Sequence, residues 1–177
     1  EAILATILGS GMSSRLFIEI RDKRGLAYAI NTSVSGNIDT GLFATYAGVA
    51  PNKIEEAIKV VLEEHHKITN NELPAGNASH SVAGGRISNN ELKKAKEYLK
   101  GRLALALEDT IAVNDFFGQQ ALFLDKIETP EEVFEKVDKV AREGVVRVAK
   151  DLFKPEKLNL AIIGPYKDAS RFERLLN

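Results

Sequence analysis

The chain has 177 residues, 44% apolar and 28% charged, which suits one folded domain with a substantial core. Lys plus Arg number 24 against 25 Asp plus Glu, a net charge of −1 that carries no electrostatic footprint for nucleic acid or an anionic membrane. Without cysteine there is neither a disulfide framework nor a thiolate metal site, and no apolar run approaches the roughly 20 residues of a membrane span.

Ala2 to Leu8 reads as the interior of a buried helix, with no cap, leader or initiator Met ahead of it. Gly9-Ser10-Gly11 breaks it, and a second helix from Ser13 or Ser14 runs through Leu16, Phe17 and Ile20 to a stop at Gly25. The period then changes to two. Tyr28, Ile30, Thr32 and Val34 fall on one face and Asn31, Ser33 and Ser35 on the other, which predicts a strand. Gly36-Asn37 and Asp39-Thr40-Gly41 turn the chain into a second strand, Leu42 to Val49, as an antiparallel hairpin.

A helix follows from Asn52, with Ile54, Ala57, Ile58, Val61 and Leu62 on one face. Ser88-Asn89-Asn90-Glu91 is a capping box for a long helix through Leu92, Ala95, Leu99, Leu103 and Leu107. Further helices are predicted over 113–125, from Thr129-Pro130-Glu131-Glu132, through Val145, Val148, Ala149, Leu152 and Phe153, and from Ser170 to Leu176. Leu158 to Ile163 reads as a buried strand. Strands segregated from a run of helices predict an α+β domain over 1–177: a two-layer sandwich of a mixed, largely antiparallel sheet with helices on one face.

Lys67-Ile68-Thr69-Asn70-Asn71-Glu72-Leu73 recurs as Arg86-Ile87-Ser88-Asn89-Asn90-Glu91-Leu92, each copy with a Ser/Thr-x-x-Glu capping box. The small-residue stretch between them predicts an inserted mobile surface loop at 74–86, natural or engineered, with a lid over a binding site as the alternative.

Gly9-Ser10-Gly11-Met12-Ser13-Ser14-Arg15-Leu16-Phe17 followed by Arg21-Asp22-Lys23-Arg24-Gly25-Leu26-Ala27-Tyr28 resembles the C-terminal, non-catalytic domain of the insulinase (pitrilysin)-type zinc metallopeptidases, the family that includes the mitochondrial processing peptidase. Asp39-Thr40-Gly41-Leu42-Phe43 and Glu91-Leu92-Lys93-Lys94-Ala95-Lys96 extend the likeness. The resemblance implies the family's peptidase-half fold, here lacking its first strand and so looking like a fragment. It implies that Arg21 and Tyr28 bind peptide substrate and stabilise the transition state, because a forked guanidinium and a phenol are strong donors to a carbonyl or an oxyanion. It also implies that zinc, its ligands and the general base belong to a catalytic half, on the same polypeptide or another subunit, with a proteolytic chamber between the halves. The same resemblance leaves open a core-protein-like scaffold without proteolysis, or an isolated or engineered domain.

The family's catalytic His-x-x-Glu-His is absent. The nearest approach, Val61-Leu62-Glu63-Glu64-His65, has valine where the first ligand is required. No cofactor or metal is therefore expected on this chain. His65 reads as a half-buried packing residue, His66 as solvated, and His80 as an isolated loop residue. Gly9-Ser10-Gly11-Met12-Ser13-Ser14 lacks the Gly-Lys-Ser/Thr end of a phosphate loop and reads as a helix break. Glu55-Glu56, Glu63-Glu64 and Glu131-Glu132 read as solvated helix faces. Asn31-Thr32-Ser33 and Asn77-Ala78-Ser79 match the glycosylation triplet, with nothing else pointing to secretion. The expected setting is the cytoplasm or an organelle matrix, with no nucleic-acid partner.

Overall fold

The computed structural model describes residues 1–70 and 85–176. Helix α1, Ala2–Gly9, is apolar all round, and every residue from Ile3 to Gly9 is buried. A helix of that kind belongs inside a core, and α1 packs against the first strand and two later helices. Its last residue must be glycine. A Cβ on Gly9 would stand 2.1 Å from Thr32 Oγ1 and 2.6 Å from the Thr32 amide nitrogen. The Ser10 hydroxyl then donates to the Thr32 carbonyl at 2.8 Å, pinning the end of α1 to the strand. Gly11, at φ +118°, completes the break between helices.

The next helical piece is a π-helix, Phe17–Asp22. Its geometry shows in the Lys23 amide, which donates to the Ile18 carbonyl at 2.9 Å, five residues back. Gly25, at φ +56°, ends it in the left-handed region.

Strands β1, Ala27–Gly36, and β2, Gly41–Val49, pair antiparallel from Gly36↔Gly41 back to Ala27↔Val49. Asn37 N–H donates to the Thr40 carbonyl at 2.8 Å to close the turn. Ile30 and Thr32 face the core, and the Thr32 and Thr45 hydroxyls bond each other across the pair at 3.0 Å. These two strands are the whole sheet among the described residues. The predicted strand from Leu158 to Ile163 has no regular secondary structure and joins no ladder, and Ile163 lies fully in solvent. No described strand lies beside it to supply partners.

Helix α2, Ile54–Asn70, buries Ala57, Val60, Glu64 and Ile68, a face rotated from the predicted one. Helix α3, Asn89–Ala106, starts with both halves of the Ser88/Glu91 capping box in place. Helix α4, Thr110–Phe123, capped by Asp109, buries none of its residues. Helix α5, Pro130–Lys139, has the Thr129/Glu132 box and proline at its start. Helix α6, Arg142–Leu152, buries Val145, Val146 and Ala149. A short 3₁₀ turn, Pro155–Lys157, and helix α7, Ser170–Leu176, complete the described residues. The core gathers α1, Leu16, Ile20 and Leu26 with Ile30, Val60, Ile68, Ile87 and the buried face of α6.

The two copies of the repeat are used differently. Ser88 caps α3, whereas Thr69 lies inside α2 and its hydroxyl donates to the His66 carbonyl at 2.9 Å. Ile68 and Ile87 are both fully buried. Most of the predicted loop at 74–86 lies outside the described residues. Its last two residues, Gly85 and Arg86, have carbonyls that accept hydrogen bonds from the Arg15 guanidinium.

Candidate functional site: an exposed Arg and Tyr on a π-helix and a bulged strand

Arg21 sits in the π-helix and Tyr28 near the start of β1. The alternation of β1 predicts Tyr28 on the same face as Ile30. The structure places it on the other, because of how β1 pairs with β2. Ala27 pairs with Val49 and Ala29 with Gly48, so Tyr28 is an extra residue with no partner on β2. Such a bulge re-aims a side chain. Tyr28 is accordingly 86% exposed while Ala27 and Ile30 are buried.

The Arg21 guanidinium carbon lies 4.9 Å from the centroid of the Phe17 ring and 5.7 Å from that of Tyr28. Both are within cation–π range. Arg21 makes no hydrogen bond or ion pair with the described residues. Its neighbours differ. Glu19, with its side chain only 7% exposed, binds Lys23 Nζ at 2.6 Å through one carboxylate oxygen and Arg24 Nη1 at 2.5 Å through the other. The same Arg24 nitrogen donates to the Glu19 carbonyl at 3.0 Å. Burial opposes ionisation of Glu19, but the hydrogen bonds and charges of Lys23 and Arg24 outweigh it and hold the carboxyl below its ordinary range. Lys53 Nζ donates to the Gly25 carbonyl at 3.0 Å, tying the connection between Arg21 and Tyr28 to the start of α2.

Behind this surface lies Arg15, 1% exposed. Its Nε donates to Glu91 Oε1 at 2.8 Å and its Nη2 to Glu91 Oε2 at 3.2 Å, a two-pronged pair joining the segment before the π-helix to the cap of α3. Burial disfavours the Glu91 charge, yet Arg15 and Ser88 hold its carboxyl below the usual range. The sequence gives no sign of this role beyond an Arg amid apolar residues.

The nearest approach to a zinc helix does not assemble a site. Glu64, read from sequence as solvated, is fully buried because it stands four residues from both Val60 and Ile68 on the inward face of α2. Its Oε1 accepts from Lys67 Nζ at 2.6 Å, and its Oε2 has no partner among the described residues. His65 stacks flat on Phe153, with centroids 4.0 Å apart and planes 4° from parallel. Burial pushes its pKa down to about 4. His66 is exposed. Among the described residues no three His, Cys, Asp or Glu side chains gather to hold a metal ion, and no helix is long and apolar enough to cross a membrane.

The family description "Peptidase M16 inactive domain" matches residues 2–99, a span containing the whole Arg21/Tyr28 surface and the capped start of α3. The chain belongs to the M16 inactive-domain family. This is the insulinase-type resemblance carried by Gly9 to Tyr28, now placed on its fold. An uncharacterized zinc protease of Streptomyces coelicolor is 34% identical over 166 residues, 94% of this chain and 33% of that protein. The uncharacterized zinc protease YmxG of Bacillus subtilis is 31% identical over 163 residues, 92% of this chain and 36% of its own length. The crystal structure of a protease from Helicobacter pylori superposes with a TM-score of 0.68 at 25% identity, covering 84% of this chain and 32% of that one. This M16 inactive domain thus spans about a third of the length of the relatives it matches.

Proposed function

We propose that this M16 inactive domain closes a proteolytic chamber opposite a zinc-binding catalytic half and presents Arg21 and Tyr28 to the bound peptide. The observation that carries this reading is the state of the Arg21 guanidinium. It is held by two aromatic rings, takes no carboxylate among the described residues, and stands beside a phenol that a bulge turns out of the sheet. Donors with no internal partner are available to a substrate. When water attacks a peptide carbonyl, negative charge grows on its oxygen, and positioned N–H and O–H donors favour that state over the bound peptide. Zinc, when bound to the other half, supplies the activated water. This chain holds the peptide and its developing oxyanion.

The β1–β2 hairpin forms wall surface beside the extended substrate, with Tyr46 exposed opposite Asn31 on the outward face. Reconstitution tests the reading. The domain alone should leave an internally quenched peptide intact, and adding the zinc-binding half should start hydrolysis that a chelator stops. Full hydrolysis by the zinc-binding half without this domain would sink the proposal.

A further inference from the structure

We infer that Glu19 is a positioning residue for Arg21, acting as an anionic clamp that draws Lys23 and Arg24 away from the substrate face. The inference rests on the reading of Arg21 and Tyr28 as substrate-facing groups. Three cations crowd into four residues, Arg21, Lys23 and Arg24, and among the described residues only Arg21 has no carboxylate partner. Glu19 takes the other two, one on each oxygen. Asp22, exposed and adjacent, makes no ion pair with the described residues. The selectivity comes from helix geometry. Arg21 is exposed and lies one turn from Phe17, which carries its guanidinium, whereas Glu19 lies between them in sequence and is buried.

One arm of the clamp also meets the backbone of this turn. The Lys23 amide reaches past Glu19 to the Ile18 carbonyl, and the Glu19 carbonyl is taken by the Arg24 guanidinium. The Leu26 amide then closes on the Ile20 carbonyl at 2.8 Å. The Glu19 carboxylate therefore balances two of the three charges in the segment joining Arg21 to Tyr28 and holds in place the Arg24 guanidinium that caps the Glu19 carbonyl. Without it, two long cations lose their counter-charge beside the substrate, and the turn that sets the Arg21–Tyr28 separation loses its brace. The role is indirect, because Glu19 is buried and reaches neither Arg21 nor any peptide.

A double-mutant cycle in the enzyme formed by this domain with the zinc-binding half, read with an internally quenched peptide, tests this. Glu19→Gln keeps the shape but removes the charge. It should lower kcat by roughly tenfold or more, with a smaller change in KM, the scale of a sub-ångström misplacement. In an Arg21→Ala background the same change should have almost no further effect, because a residue that acts through Arg21 has nothing left to act on. Glu19→Asp should recover part of the loss. If Glu19→Gln does not fold, Arg24→Ala removes one arm of the clamp together with the bond to the Glu19 carbonyl and runs through the same cycle. Equal losses in both backgrounds would make Glu19 merely structural and overturn the inference while leaving the role of Arg21 intact. If Arg21→Ala alone keeps full turnover, the reading of the pair fails, and the inference with it.

Discussion

The guanidinium carbon of Arg21 stands 5.7 Å from the centroid of the Tyr28 ring, across a bulge that leaves Tyr28 unpaired on β2. Seven residues apart in sequence, the two side chains meet because the π-helix ends at a left-handed Gly25 and β1 begins with an extra residue. Both irregularities lie in this one segment. Removing either would move one partner away from the other.

The Arg15–Glu91 pair should be the most sensitive polar contact behind the site. Arg15 is almost fully buried and also holds the Gly85 and Arg86 carbonyls. Arg15→Ala leaves a partly buried carboxylate without its counter-charge and two carbonyls without donors, which should cost about 3–5 kcal/mol. Urea denaturation of the variant should show a lower midpoint at unchanged slope. A midpoint within experimental error of the parent would mean that solvent replaces the guanidinium freely.

At Gly9 the expected cost comes from overlap. Gly9→Ala places a methyl 2.1 Å from Thr32 Oγ1 and 2.6 Å from the Thr32 amide nitrogen. Helix propensity favours alanine, so a gain would be expected from local preference alone. The contact should win, with a loss of about 1–3 kcal/mol, as for other overpacked core sites. Thr32→Ala should not rescue it, because the backbone nitrogen remains in the way. Thermal melts of the single and double variants decide the point.

His65 should make stability depend on pH. Its imidazole is buried against Phe153, Nε2 has no partner among the described residues, and its pKa falls from 6.5 to about 4. Between those values the unfolded chain binds the extra proton, so stability is full above pH 6.5 and declines as pH falls toward 4. At about 1.4 kcal/mol per unit, the decline should reach about 3 kcal/mol. His65→Leu should flatten that part of the profile. The carboxylates of Glu19 and Glu91, whose pKa values are also depressed, lose their contribution at lower pH. An unchanged profile in His65→Leu would place the dependence elsewhere.

Much of the frame was legible from local chemistry. Gly9-Ser10-Gly11 marks a break, Ser88 to Glu91 a capping box, Thr129-Pro130 a helix start, and Gly36 to Gly41 a turn, because each is settled within a few residues. Three features were not legible, each for a non-local reason. The inward face of α2 depends on what packs against it, so Glu64 reads as solvated although its position between Val60 and Ile68 buries it. Strand formation at 158–163 depends on a neighbouring strand, and composition cannot supply one. The bulge at Tyr28 depends on the register with β2, so strict alternation assigns it to the wrong face. The duplicated Ile-Ser/Thr-Asn-Asn-Glu-Leu pattern shows the same limit. Both isoleucines are buried, yet only one hydroxyl caps a helix.

The most direct measurement is turnover of Tyr28→Phe in an enzyme reconstituted from this domain and the zinc-binding half, with Arg21→Lys beside it and Arg147→Ala as a control on the exposed side of α6. Tyr28→Phe removes one hydroxyl from a ring that is 86% exposed, so its melting temperature should hardly move. Turnover should fall by about 10² to 10³, the range for one oxyanion donor, with KM changing far less. Arg21→Lys keeps the charge but loses the planar fork and should also be strongly impaired. Arg147→Ala should match the parent. Full turnover by Tyr28→Phe, with or without a change in melting temperature, would contradict the claim that this pair serves the reaction.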